Sequence, residues 1–387
     1  MDLLPSGSDG GRPAGCWSVW RVPCTLRHHI QAEVLPMDTN AVGDPAPWFQ
    51  ARCTSNDRFH FDTVAGRYVV LCFFATAADA LSKAVLEAFL DQHRPVFNDR
   101  QVCFFGVSVD PEDEQQSRVG ESLPGCRQFW DFDGKVSRLF GRLEGERYRR
   151  ATVVLDERLR VYAVVPFGDP PQEHAAKVVD ILAAAPTLEP ESEAQVPAPV
   201  LILPRLFEPE LCQKLIAHYN EGGAQDSGFM RDVEGKTVGL YDYGHKRRSD
   251  KQIQDGALRD LCLARIRDRL VPEVKKAFQF SATRIERHIV ACYDGASGGH
   301  FRPHRDNTTK GTAHRKFAVS VVLNTGEFQG GRLRFPEFGR QTYSPPAGGA
   351  VVFSCSLLHE ATPVTQGLRY CYLPFLYDDA AARVGLV

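Results

Sequence analysis

Two styles of hydrophobic patterning divide this chain. Its first half carries unbroken apolar runs, which suit strands buried on both faces. Gly66-Arg67-Tyr68-Val69-Val70-Leu71-Cys72-Phe73-Phe74 is one, and Val102-Cys103-Phe104-Phe105-Gly106-Val107-Ser108-Val109 is a second. Between them, Leu81, Val85, Leu86, Phe89 and Leu90 recur at helical spacing, so residues 77–92 read as a helix. Two further strands, Ala151–Asp156 and Val161–Val165, flank a hairpin-like connection, and a last helix over 173–185 ends at Pro186. Strand–helix–strand followed by a hairpin and a helix predicts an α/β layered domain.

After residue 185 the pattern lapses into a Pro- and Glu-rich stretch with little to bury, the composition of a linker. The second half then opens on helices. Leu211, Leu215, Ile216 and Tyr219 share one face and Gly222-Gly223 stops the run. Leu258, Leu261, Ile266 and Leu270 form a second face that ends at Pro272. From 284 the text changes to short strands with turns between them: Arg287–Tyr293, Phe317–Asn324, Gly331–Phe335, Ala350–Ser354 and Leu368–Tyr377. That predicts a sandwich or jelly roll with helices on one side. The expected segments are an extension over 1–41, rich in Gly, Pro and Arg with Met37 as an alternative start, and an α/β domain over 42–184. A linker follows at 185–200, then a helical support region at 201–283, a strand-rich core at 284–378 and a tail at 379–387.

Composition narrows the function classes. With 46 Lys and Arg against 48 Asp and Glu, the net charge of −2 gives no general attraction to nucleic acid or anionic lipid. The run Lys246-Arg247-Arg248 reads as a solvated loop. No apolar run approaches a membrane span, and the first residues lack the apolar core of a signal peptide. Eleven cysteines without a CxxC suggest neither a zinc knuckle nor a disulfide framework, and a reducing cytoplasm fits them.

Candidate chemistry gathers around His304-Arg305-Asp306. Residues i and i+2 at a strand end share a face. His359 follows 53 residues after Asp306, beyond intervening strands, and Arg369 follows ten residues later inside an apolar run. Two imidazoles and a carboxylate make the facial triad of non-haem Fe(II) oxygenases, and a guanidinium at that spacing suits a carboxylate. The motif occurs idly too: His60-Phe61-Asp62 has no distal histidine or cation to match and reads as structural. His288, His300 and His314 lie off the pattern, as pocket-wall or surface residues.

Two resemblances follow. The entry Gly43-Asp44-Pro45-Ala46-Pro47, the first apolar strand, Gly106-Val107-Ser108-Val109-Asp110-Pro111 and Arg150-Ala151-Thr152-Val153-Val154-Leu155-Asp156 resemble the peroxiredoxin branch of the thioredoxin fold. The resemblance implies a peroxidatic cysteine at the helix start, its thiolate held by the helix N-terminus and an arginine. Here Ala75-Thr76-Ala77-Ala78-Asp79-Ala80 stands there instead, and Arg150 matches the family's arginine with no thiolate to activate. Cys72, mid-strand, and Cys126, expected in a loop, are the alternative nucleophiles.

In the second half, Tyr293-Asp294-Gly295, His304-Arg305-Asp306-Asn307, Leu323-Asn324, Gly330-Gly331-Arg332-Leu333-Arg334-Phe335-Pro336, His359-Glu360-Ala361-Thr362-Pro363-Val364 and Gly367-Leu368-Arg369-Tyr370 resemble, in order, the prolyl 4-hydroxylase-like branch of Fe(II)/2-oxoglutarate dioxygenases. The resemblance implies a double-stranded β-helix, or jelly roll. It implies Fe(II) on His304, Asp306 and His359, and 2-oxoglutarate held by Arg369 beside Tyr293, with ascorbate as a further candidate. Val321 and Val322 stand where some relatives carry a tyrosine, so Ser320 and Thr362 are the expected helpers. The implied reaction couples O₂ and decarboxylation of 2-oxoglutarate to succinate with hydroxylation of a C–H on a small molecule or peptide. The first domain is then a redox-dead scaffold for docking a protein partner. Two alternatives stay open: a thiol peroxidase with a regulatory iron domain, and a non-catalytic adapter that binds iron and 2-oxoglutarate.

Overall fold

The computed structural model describes residues 41–168, 170–188, 196–234 and 236–384. The expected extension before Ala41, with Met37, lies outside these residues, as do 189–195 of the expected linker and 385–387 of the tail. By compactness the described chain divides into a unit of residues 41–188 with Arg265–Pro272, and a unit of 196–264 with 273–384. Arg265–Pro272 thus groups apart from the helical support region to which its sequence position assigns it.

In the first unit, seven described strands form one sheet. They are β1 (Gln50–Cys53), β2 (Asn56–His60), β3 (Tyr68–Ala75), β4 (Val102–Ser108), β5 (Cys126–Trp130), β6 (Ala151–Leu155) and β7 (Val161–Pro166), in the order β2-β1-β5-β4-β3-β6-β7. β3, β4 and β5 run parallel and the others are antiparallel. The unbroken apolar run of β3 follows from its central place. Val69, Leu71 and Phe73 enter one core and Val70, Cys72 and Phe74 the other, on opposite faces of the sheet. Each such side chain contributes about 1.5–3 kcal/mol on burial. The helix α1 (Ala80–Glu87) continues through a π-helical turn at Ala88–Gln92, and α2 (Pro171–Ala184) packs in the same core as α1. Cys126, expected in a loop, is instead the first residue of β5 and fully buried. One residue pair, Gln128 on Gly106, explains that glycine: a Cβ there would meet the Gln128 amide at 1.9 Å.

The second unit begins with β8 (Leu201–Leu203) and α3 (Pro209–Asn220). Then come β9 (Gln225–Asp226), the hairpin β10 (Phe229–Val233) and β11 (Lys236–Leu240), β12 (Lys246–Arg247), β13 (Ser249–Gln252), α4 (Gly256–Arg265) and α5 (Val271–Phe278). The core strands are β14 (Arg284–Glu286), β15 (Ile289–Asp294), β16 (His300–His304), β17 (Phe317–Val322), β18 (Leu333–Arg334), β19 (Thr342–Tyr343), β20 (Ala350–Ser354), β21 (His359–Ala361), β22 (Leu368–Tyr372) and β23 (Phe375–Tyr377). One described sheet has the order β8-β20-β17-β22-β15-β13-β9, with β14 and β23 attached, and the other β12-β16-β21-β18-β19. These antiparallel sheets form the double-stranded β-helix with flanking helices. Between the sheets sit Ala318, Leu333, Phe335, Val351, Phe353 and Phe375.

Two expectations need correction. Pro272 does not end the helical run. A π-helical turn at Ile266–Leu270, closed by Val271 N–H on the Ile266 carbonyl, lets α5 restart with Pro272 in its first turn, where no N–H is needed. Residues 225–252, inside the expected helical support region, are largely strand, and the basic run Lys246-Arg247-Arg248 is not a solvated loop: Lys246 and Arg248 are buried and Arg247 is exposed. Period-2 alternation puts the first and third of these residues on one side.

Candidate metal centre

Strand register brings the two histidines together. His304, at the end of β16, is the Cα partner of His359, at the start of β21, and their ring centroids lie 4.3 Å apart. Asp306 sits in the turn just after β16, its N–H donating to the Cys355 carbonyl at 2.9 Å. Each imidazole is oriented through Nδ1. His304 Nδ1 is 2.8 Å from the Arg302 carbonyl and His359 Nδ1 is 3.0 Å from the Leu357 carbonyl. A carbonyl only accepts, so both Nδ1 atoms carry the proton and both Nε2 atoms keep a lone pair. Those Nε2 atoms face the two oxygens of Asp306 at 3.5 Å and 3.3 Å. Burial pushes His359 down to about 4, so it is neutral at pH 7. Burial works to raise the Asp306 carboxyl, and His359 and His304 lower it only while an imidazole carries a second proton.

Three electron-pair donors within 4.8 Å of one another, with no donated proton between them, repel unless a cation lies among them. The donor set of two neutral imidazoles and one carboxylate fits Fe(II). Among the described residues no other such cluster forms, and His60-Phe61-Asp62 does not make one. Phe301 stacks on His304 at 3.4 Å and Phe353 packs on His359 at 4.5 Å, fixing both ring planes.

The donors open onto a cavity of about 400 Å³. Across it, β22 pairs with β15 so that Arg369 lies opposite Tyr293 in register. The Arg369 guanidinium stands 4.9 Å over the Tyr293 ring, with Nη2 3.4 Å from Ser320 Oγ, and no carboxylate reaches it among the described residues. Gly331 makes room for it: a Cβ there would meet Arg369 Cδ at 2.8 Å, and its φ is +60°. Tyr293, Ser320 and Arg369 therefore line the cavity together. The structure does not bring Thr362 to it. The Thr362 hydroxyl accepts the Arg332 N–H at 2.9 Å, and the residue is not among those lining the cavity.

Sequence reasoning missed the other cations of this cavity. Lys246 pairs in register with Phe301 and holds Nζ 4.7 Å over that ring, donating to Ser227 Oγ and the Gly228 carbonyl at 2.7 Å and 2.6 Å. Burial takes it well below the ordinary lysine value. Arg248 donates to Asp250 at 2.6 Å and to the Tyr293 hydroxyl at 3.4 Å. Arg231, Arg287, Arg305 and Arg315 line it as well. The signal available was the alternation within Lys246-Arg247-Arg248, overlooked because charge runs usually face water. His288 bonds the Tyr372 hydroxyl and His314 bonds Glu286, both away from the metal donors, while His300 bonds the Gly298 carbonyl.

In the first unit, the helix start that follows β3 holds a carboxylate. Asp79 caps α1, accepting the Ser82 N–H at 3.0 Å, and pairs with Arg150 at 3.1 Å. The matched arginine, expected to have no thiolate to activate, is paired with this carboxylate. Burial pushes the Cys72 thiol up to about 12 and the Cys126 thiol up to about 11.

Comparison with known proteins agrees with this division. Residues 288–377 match the model of the 2OG-Fe(II) oxygenase superfamily, and residues 42–164 match that of the AhpC/TSA family. A PKHD-type hydroxylase of Synechococcus sp. (strain JA-2-3B'a(2-13)) is 26% identical over 136 residues, 32% of this chain and 57% of that protein. The chain thus spans little more than half the length of that curated relative. A prolyl-4-hydroxylase of Pseudomonas putida superposes with a TM-score of 0.37 at 21% identity, over 52% of this chain and 98% of that one. AhpC of Mycobacterium tuberculosis superposes with a TM-score of 0.31 at 17% identity, over 38% of this chain and 93% of that one.

Proposed function

We propose, from the premise that this chain joins an AhpC/TSA domain to a 2OG-Fe(II) oxygenase domain, that it is an Fe(II)- and 2-oxoglutarate-dependent hydroxylase of a prolyl or other amino-acid-like C–H. The observation that carries the reading is the convergence of His304 Nε2, His359 Nε2 and the Asp306 carboxylate on a cavity whose far wall holds Arg369 without an acid partner. Bound Fe(II) would supply O₂ activation coupled to decarboxylation of 2-oxoglutarate, with succinate and CO₂ released.

The chain's own residues do the rest. His304, Asp306 and His359 would hold the metal through three donors, a set that leaves positions for cosubstrate and O₂. Arg369, with Ser320 and Tyr293, takes the distal carboxylate of 2-oxoglutarate by charge-assisted hydrogen bonds. Phe301 and Phe353 keep water from the imidazoles. Asp306 as a carboxylate ligand disfavours a halogenase, which needs that position open for chloride. Ascorbate is a further reductant to test. The first domain, with Asp79 in its anion seat and its described cysteines free and buried, serves as a docking scaffold for a protein partner. Free thiols suit a reducing compartment such as the cytoplasm. Among the described residues no helix is long and apolar enough to cross a membrane.

The test is succinate release from 2-oxoglutarate by the full chain with Fe(II), with and without O₂, over a panel of peptides and amino acids. Release that needs O₂ and vanishes in His304→Ala supports the reading. Tight binding of iron and 2-oxoglutarate with no release under any condition favours the adapter. Peroxide consumption lost on replacing Cys72 or Cys126 would favour the thiol peroxidase, which the buried, high-pKa thiols speak against.

A further inference from the structure

The cavity beside the metal donors holds more positive charge than one dicarboxylate uses. Arg248 is paired with Asp250 at 2.6 Å, and Arg315 with Glu286 through Nε at 2.8 Å. Arg305 is paired with Glu337, so three guanidiniums that line the same cavity have no carboxylate partner among the described residues: Arg369, Arg287 and Arg231, the last of them exposed to water. The first is accounted for by the cosubstrate. The second is not.

Arg287 stands over a different ring from Arg369, in the short connection between β14 and β15. Its guanidinium lies 4.5 Å over Phe375, a ring it shares with Arg315 at 4.1 Å, and Arg315 in turn reaches the Asp306 carbonyl at 3.4 Å. Nε and Nη2 of Arg287 both donate to the Leu373 carbonyl, at 3.1 Å and 3.0 Å. Nη1 donates to no protein atom among the described residues. The backbone of Arg287 is left-handed, with φ of 72°, a conformation costly for a side chain of this size and one that gathers at ligand sites. Burial, then the neighbouring Arg248 and Arg315, push this arginine down to about 10, more than the nearby Asp250 and Glu286 offset.

We infer that Arg287 seats a carboxylate of the oxidised substrate, apart from the cosubstrate carboxylate held by Arg369. The substrate class is then an amino-acid-like acid with its carboxylate free. The inference rests on the oxygenase reading, which assigns Arg369 to 2-oxoglutarate.

Calorimetry on the iron-loaded full chain without oxygen tests it. The first titrant is 2-oxoglutarate. The second, on the saturated sample and again without cosubstrate, is a set of N-acetyl amino acids (proline, lysine and leucine) and their carboxamides. At least one free acid is expected to bind about tenfold or more tighter than its amide, the worth of a charge-assisted contact. Arg287→Gln should erase that preference and keep the 2-oxoglutarate affinity within about threefold, while Arg287→Lys keeps part of the preference. Two results overturn the inference. One is a wild-type protein that binds no free acid better than its amide. The other is an Arg287→Gln protein that loses 2-oxoglutarate as fully as Arg369→Gln does, which would make Arg287 a second arm of the cosubstrate seat. If the wild type binds no 2-oxoglutarate, the oxygenase reading falls, and the acid–amide comparison without cosubstrate still reads Arg287 by itself. Should Arg287→Gln fail to fold, the wild type and Arg287→Lys decide.

Discussion

The two halves of the chain each place an arginine beside a site where their families do chemistry, and they treat it oppositely. Arg150 has Asp79 at 3.1 Å, so its charge is met from within. Arg369 is 2% exposed, lies over Tyr293, and has only a hydroxyl at 3.4 Å. A buried guanidinium left without an acid is destabilising unless a ligand completes it. The same contrast holds for nucleophiles and ligands. In the first half the Cys72 and Cys126 thiols are buried and pushed up to about 12 and about 11, whereas in the second three lone-pair donors converge on one point. The lesson is one of completion: the first half meets its arginine with a carboxylate of its own, while the second leaves a cation and three donors open.

The largest effect expected is on the unfilled side. His304→Ala or Asp306→Ala should abolish both iron binding, read by anaerobic titration, and succinate release. Residual turnover above about 1% of wild type would break the contrast. Next, Arg369→Gln should weaken 2-oxoglutarate binding by about tenfold to a hundredfold, the worth of hydrogen bonds to a charged group, with little change in iron affinity. A change under about threefold would mean another cation holds the cosubstrate. On the filled side, Asp79→Cys should convert the seat into a reactive thiolate beside Arg150 and the helix N-terminus. Its alkylation rate against pH should show a thiol pKa below the usual ~8.5. A thiol no more reactive than the cysteines of the wild type would mean the seat is gone rather than occupied. Asp79→Ala should cost about 1 kcal/mol of stability as a lost helix cap, seen as a small drop in melting temperature.

The smallest effect is a pH dependence. Burial, followed by Arg259, pushes His288 down to about 4 in the folded protein, against ~6.5 unfolded. Between these values the unfolded chain binds the extra proton, so its contribution to stability is complete above about 6.5 and is lost as pH falls toward 4. Melting temperatures from pH 7 to pH 4 should therefore fall less steeply in His288→Gln than in the wild type.

Much of this contrast was legible in the sequence. The metal donors were, because HxD, a distal histidine and an arginine inside an apolar run make a pattern that chance seldom completes. The β3 run was, because a strand buried on both faces needs no polar positions. What escaped depends on pairing between distant segments. Lys246 and Arg248 look solvated until β12 is set against β16 and Asp250 is seen beside Arg248. Asp79 is an ordinary cap until the fold brings Arg150 to it. Thr362 went wrong for a related reason: it adjoins β21, but its hydroxyl faces Arg332. Arg287 has a left-handed backbone that no local propensity announces.

The pairing of His304 with His359 also makes the metal a proofreader of assembly. The two imidazoles meet only in one alignment of β16 against β21, and a slip of one residue turns a strand's side chains to its other face. Adding a residue inside Leu357–His359 would therefore leave a chain that can still pair but cannot hold iron. The same addition within 339–341, ahead of β19, lengthens a connection and moves neither imidazole. Iron uptake during refolding would count the correctly aligned molecules directly, separating mispaired barrels from native ones that secondary-structure content alone would score as equal.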